Sequence, residues 1–127
     1  MPLLNFKKQF VDPIRQGTKH HTIRAMRKIP VKKGDKLYLY CGCRQKGAFR
    51  ILPEPQTCTV VEEIKIRSLV GDVEIVIDGW KLSEDEMQRL ARADGFENLS
   101  LFYHFWQVNH GDPQGHVDFT GQIIHWR

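Results

Sequence analysis

The run Thr57-Cys58-Thr59-Val60-Val61-Glu62-Glu63-Ile64-Lys65-Ile66-Arg67-Ser68-Leu69 is the longest extended signal in the chain, and it constrains the rest most. β-branched residues crowd it, and such side chains favour strands over helices. A strand of this length has to bend, and Glu62-Glu63 marks the expected place. It also needs strand partners. Residues 72–77 supply one, turning at Asp78-Gly79 into Trp80-Lys81-Leu82. The alternating aromatic run 36–44 supplies another, and residues 119–127 close the sheet. Residues 3–6 read as a first strand or an extended arm.

Helical signals are fewer. Ser83-Glu84-Asp85-Glu86 is a capping box for a helix over 84–93, with Met87, Leu90 and Ala91 inward and Gly95 at its exit. Ser100 opens a second helix over 101–109, whose Leu101, Phe102, Phe105, Trp106 and Val108 read as core, with nucleobase stacking as the alternative use. Residues 9–17 hold one or two helical turns, with Asp12 as cap, Pro13 at the first position and Gly17 at the exit. The class is therefore α+β, and 127 residues fit a single domain over 1–127. No run approaches the ~20 apolar residues of a membrane span. No signal peptide is recognisable. Three cysteines read as reduced thiols in a cytoplasmic protein. Cys41-x-Cys43 with Cys58 and a histidine could supply four zinc ligands. Structural zinc sites prefer two or more residues between paired cysteines, so buried thiols and no metal are the expectation.

Charge is unevenly spread along the chain. The net value is +4, yet residues 1–50 hold thirteen Lys and Arg against Asp12 and Asp35, a balance of +11. Residues 51–127 carry −7. Such a split implies one strongly positive face and a phosphate-bearing partner. The densest part is Gly17-Thr18-Lys19-His20-His21-Thr22-Ile23-Arg24-Ala25-Met26-Arg27-Lys28. On a strand Thr22 and Arg24 share a face, His20 shares it with them, and His21 does not. Lys19 would face away from Thr22 unless a twist, a bulge or its long stem brings it round. The bland alternative is a basic edge strand that blocks sheet-to-sheet aggregation.

The order short helix, basic strand, Gly34-Asp35 turn and Leu37-Tyr38-Leu39-Tyr40 strand, with Gly17, Lys19 and Thr22-Ile23-Arg24 in place, resembles the ASCH domain family. The resemblance is best over 9–44 and extends to the closing strand at 121–126. It implies a small PUA-like β-barrel with short helices packed at its rim. Small ASCH enzymes similar to this chain are amidohydrolases that remove an acyl group from the exocyclic nitrogen of a modified cytidine. Their motif places a Lys and a Thr as Lys19 and Thr22 stand here, with a Glu at the end of the later helix. The matching position is Asp94, whose carboxylate sits about 1.5 Å further back, and Glu97 is the fallback acid. Other ASCH domains resemble RNA-binding modules, and ribonuclease activity is associated with the family.

Two chemistries follow from the residues. A threonine hydroxyl needs a base to become a nucleophile, and a Lys depressed by burial and neighbouring cations can be that base. In metal-free RNA cleavage, Lys19, His20 or His21 would be the base and Arg24 or Arg27 would meet the phosphorane charge. The expected site is a cleft with Lys19, Thr22 and Asp94 catalytic, and Arg24, Arg27, Lys28, His20, Tyr38 and Tyr40 holding RNA or a nucleoside. Binding without turnover is the remaining alternative. No cofactor is required, and a monomer or weak dimer is the expectation.

Overall fold

The computed structural model describes residues 3–42, 46–69 and 72–126. Along them run β1 (Leu3–Phe6), a 3-10 turn (Lys8–Phe10), α1 (Val11–Gln16), β2 (His21–Ala25), β3 (Lys36–Cys41) and β4 (Phe49–Arg50). Then follow β5 (Gln56–Leu69), β6 (Asp72–Ile77), β7 (Trp80–Lys81), α2 (Glu84–Ala93), α3 (Leu99–His110) and β8 (Asp118–Trp126). The architecture is α+β: one strand-dominated sheet with three short helices.

The long strand is the hub, as its length requires. β8 pairs antiparallel with β5 from Cys58 to Arg67, while β6 pairs with it from Ile64 to Leu69. The first residues of β5, Gln56 and Thr57, pair with β3. β1 adds to β3 in parallel, β2 adds to β8, and β4 and β7 are short additions to β3 and β6. The bend falls earlier than Glu62-Glu63: the register shifts between Cys58 and Val60.

The expected barrel does not close. Among the described residues, β2 pairs with β8 and β1 with β3, and no backbone ladder joins β1 to β2. Side chains occupy that seam instead. Arg24 lies over the Phe6 ring at 4.6 Å and donates through Nη2 to the Asn5 carbonyl at 2.6 Å. Arg27 reaches the Leu3 carbonyl at 3.4 Å.

Local signals hold where chemistry is explicit and shift by a residue or two elsewhere. The capping box forms, with Ser83 Oγ accepting from Glu86 N and Glu86 Oε1 accepting from Ser83 N. α3 starts at Leu99 rather than after Ser100, because Asn98 Oδ1 accepts from Leu101 N and caps it. Asp12 is no cap: the 3-10 turn runs straight into α1 and leaves Asp12 inside its first turn. Gly17 ends α1 at φ 80°, as expected. Cys41 and Cys58 are buried free thiols, while Cys43 and Arg44 lie outside the described residues. Among the described residues no helix is long and apolar enough to cross a membrane.

The core lies between the sheet and the helices. Leu37, Leu39 and Cys41 point into it from β3, so alternation leaves Tyr38 and Tyr40 half-buried on the outer face. Phe10, Phe96, Phe102, Phe105 and Trp106 form a chain of ring contacts 5.3–6.1 Å apart. Each such pair adds about 0.5–1.5 kcal/mol beyond its area burial. The tightest backbone approach is at Gly121, which pairs with Ala25 of β2 and with Ile64 of β5. A Cβ there would overlap the Arg24 carbonyl oxygen and stand 2.7 Å from Phe119 Cζ. Gly121→Ala is therefore expected to lower the unfolding free energy by about 2–3 kcal/mol, read as a lower urea midpoint; an unchanged midpoint would contradict this packing.

Candidate functional site

Lys19 enters the interior because the chain before β2 is tied down. Gly17 turns out of α1, and the amides of Thr18 and Lys19 both donate to the Pro13 carbonyl at 3.0 Å. Thr18 Oγ1 donates to the same oxygen. Lys19 is left 2 % exposed, over the Phe10 ring at 4.8 Å.

Its partner comes from the end of α2. Phe96 N donates to the Ala91 carbonyl and Gly95 N to the Arg92 carbonyl, the paired bonds of a Schellman turn. The turn needs Gly95 at φ 101°, where a Cβ would also lie 3.3 Å from Phe10 Cδ1. It presents both acceptors of Asp94 inward. Lys19 Nζ donates to the Asp94 carbonyl at 2.7 Å and to Oδ1 at 2.6 Å. A cation at a helix C-terminus also meets the negative end of the helix dipole. Asp94 is 5 % exposed, so the pair is buried. The Lys19 pKa is nevertheless held below its ordinary 10.5. Burial is the larger cause, and it is opposed by Asp94 and aided by Arg24.

His21, also buried, stands with Nε2 3.2 Å from Asp94 Oδ1, without the alignment of a hydrogen bond. Burial lowers its pKa against the opposing pull of Asp94. Its ring lies 5.4 Å from that of His125, the residue opposite it on β8. His125 Nε2 is 2.6 Å from Glu62 Oε1 at the surface.

Above the pair is a cavity of about 200 Å³ set in the open seam. Asn5 and Phe6 of β1 form one side, and Thr22 and Arg24 of β2 the other. Lys19, Asp94 and Phe10 line it too, with Phe105, Trp106 and His110 from α3. Arg24 Nε donates to Thr22 Oγ1 at 3.1 Å, so the Thr22 hydroxyl keeps its own proton to give. Burial and Lys7 hold the His110 pKa low.

Of the residues singled out from sequence, Lys19, Thr22, Arg24 and Asp94 therefore meet in one cavity. Lys19 reaches it because β2 begins only at His21, leaving Lys19 in the preceding loop, free of strand alternation. The others lie elsewhere. Glu97 is exposed on a separate outer groove with Leu101 and His104. His20 is exposed and lines a groove of about 690 Å³ with Leu52, Glu62, His125 and Trp126. Lys19 borders that groove as well. Arg27 and Lys28 line a third, of about 670 Å³, with Lys32 and Lys36. Tyr38 and Tyr40 face Arg50, whose Nε donates to the Tyr40 hydroxyl at 2.9 Å. Sequence reasoning kept His21 only as an alternative base and read Trp106 as core, with base stacking as its other use.

Among the described residues no group of three or more His, Cys, Asp and Glu side chains is arranged to hold a metal ion. No family model matches the chain, and no curated protein or solved structure matches it either.

The buried histidine sets a pH dependence. A folded-state pKa below 6.5 means that the unfolded chain takes up a proton first as pH falls, so stability is full above about 6.5 and drains away below it. His110 acts in the same direction. His21→Gln should partly flatten the fall in urea midpoint between about pH 7.5 and about pH 5. A variant whose midpoint falls as steeply as the parent's would show that His21 does not contribute.

Proposed function

We propose that the chain is a hydrolase of the ASCH type acting on an acylated exocyclic amine of a nucleoside, and that its sheet is a PUA-like barrel left open at the seam between β1 and β2. The observation that carries this reading is the meeting of buried Lys19, its partner Asp94, Thr22 and Arg24 in one cavity of about 200 Å³. Ligand pockets for drug-sized molecules run to roughly 300–1,000 Å³. This smaller space suits an acylamino group or one planar ring, with the ribose at the mouth. It does not suit a length of polymer.

In the proposed reaction Thr22 Oγ adds to the acyl carbon and Lys19 Nζ takes its proton. A neutral amine can donate to both Asp94 oxygens and still offer a lone pair, and the lowered Lys19 pKa favours that form. The C–N bond then breaks as the proton passes from Lys19 to the departing nitrogen. Water releases the acyl group from Thr22 by the same steps in reverse. Asp94 positions Lys19, and its shorter side chain still makes contact at 2.6 Å. Arg24 holds the Thr22 hydroxyl in place.

The test is release of cytidine from N4-acetylcytidine, followed by chromatography. Lys19→Ala and Thr22→Val should each lower kcat by about 100-fold or more, with circular dichroism unchanged. No cytidine from the parent protein would end the hydrolase reading.

RNA binding is favoured by a separate feature. Arg27, Lys28, Lys32 and Lys36 line an open groove, and Asp35 there accepts from Lys32 N. Phosphates of a single strand would lie along it. Affinity for a labelled RNA should then fall with salt at a log–log slope of roughly −0.7 per phosphate met, and Lys28→Glu should weaken it. Salt-independent binding would exclude the groove as an RNA path.

A further inference from the structure

Trp106 is 2 % exposed, and its indole Nε1–H has no hydrogen-bond partner. A buried donor left unpaired costs about 1–3 kcal/mol, and buried indole N–H groups ordinarily find an acceptor. The surroundings explain the exception. Phe102, Phe105 and Phe119 pack on the indole with centroids 4.5–6.1 Å away and offer no lone pair. His110 sits at 4.6 Å with its plane 32° from that of the indole, nearer to stacking on its face than to meeting its edge. Trp106 also lines the cavity, together with Lys19, Thr22 and Arg24.

Lys19 and Arg24, two other donors at that cavity, already have partners. Lys19 gives its N–H bonds to the two oxygens of Asp94. Arg24 gives to Thr22 and to the Asn5 carbonyl. A reaction at an acyl carbon needs one more group, a donor for the carbonyl oxygen. As Thr22 Oγ adds, the π electrons of the C=O bond move onto that oxygen, and they return when the C–N bond breaks. A fixed N–H at that point lowers the barrier most when water is excluded.

We propose that Trp106 Nε1–H is the donor that binds the carbonyl oxygen of the acyl group, orienting its carbon toward Thr22 and stabilising the oxyanion. This rests on the hydrolytic reading of the cavity. It also defines specificity: a site built around a buried donor discriminates strongly against an analogue that lacks the acceptor. An N4-alkylcytidine, with no carbonyl on that nitrogen, should bind poorly beside its acyl counterpart.

Trp106→Phe keeps a ring and removes the donor. The expected result is a fall in kcat of about 100-fold together with a raised KM for N4-acetylcytidine. A folded Trp106→Phe protein with parental kcat would overturn the assignment while leaving the hydrolase intact. A second measurement needs no change at Trp106. In 15N-labelled Thr22→Val protein, which retains the pocket, saturating N4-acetylcytidine should move one of the three indole N–H resonances downfield. That resonance is identified by its loss in Trp106→Phe. N4-methylcytidine should leave it in place. Absence of a shift with the acyl ligand overturns the proposal whatever Trp106→Phe does to the rate. If the parent protein turns over no acyl nucleoside, the hydrolase reading fails by itself. A shift in the parent's own Trp106 resonance would then support the donor role in binding, and no shift would overturn it.

Discussion

A lysine side-chain nitrogen and the end of a helix, both inside the protein, hold this molecule's working parts together. Lys19 makes two short contacts to Asp94, one to the side chain and one to the backbone carbonyl of this residue, which caps α2. Such a buried pair adds little net stability compared with apolar packing, but losing one partner costs about 3–5 kcal/mol. Its structural effect is to fasten the loop before β2 to α2. That fixes where β2 runs, and hence where Thr22 and Arg24 stand. Its electrostatic effect is a lysine whose pKa burial lowers even beside an acid.

The second constraint is the seam. Two strands that would close a barrel stay unpaired among the described residues, with Arg24 lying over Phe6 between them, and the cavity lies in the opening. Closure would pair the β1 backbone with β2 and fill the space where a ligand is proposed to enter. The same arginine that spans the gap also bonds the Thr22 hydroxyl, so the seam and the site share a residue. Aromatic residues of α3 form the far wall, and the helix carries both core packing and cavity lining on neighbouring turns.

The basic half of the sequence does not act as one unit. Lys19 is interior, Arg24 and Arg27 bridge the seam, and Arg50 serves the outer tyrosines. Lys28, Lys32 and Lys36 remain around an open groove with Arg27. A run of cations in sequence thus divides into interior, seam-bridging and surface positions once alternation and turns separate the side chains.

Much of the fold could be read from local chemistry. The long strand, its partners, the capping box of α2 and the glycine exits depend on neighbours a few residues away, and these stand close to where residue type places them. The grouping of Lys19, Thr22 and Arg24 was legible for the same reason. The open seam, the exclusion of His20, Tyr38, Tyr40 and Glu97 from the cavity, the contact of His21 with Asp94 and the unpaired indole of Trp106 were not. Each depends on which distant elements meet: β1 against β2, or α3 against β1. Those meetings are decided by packing the whole apolar core at once, and no short window of sequence contains both partners.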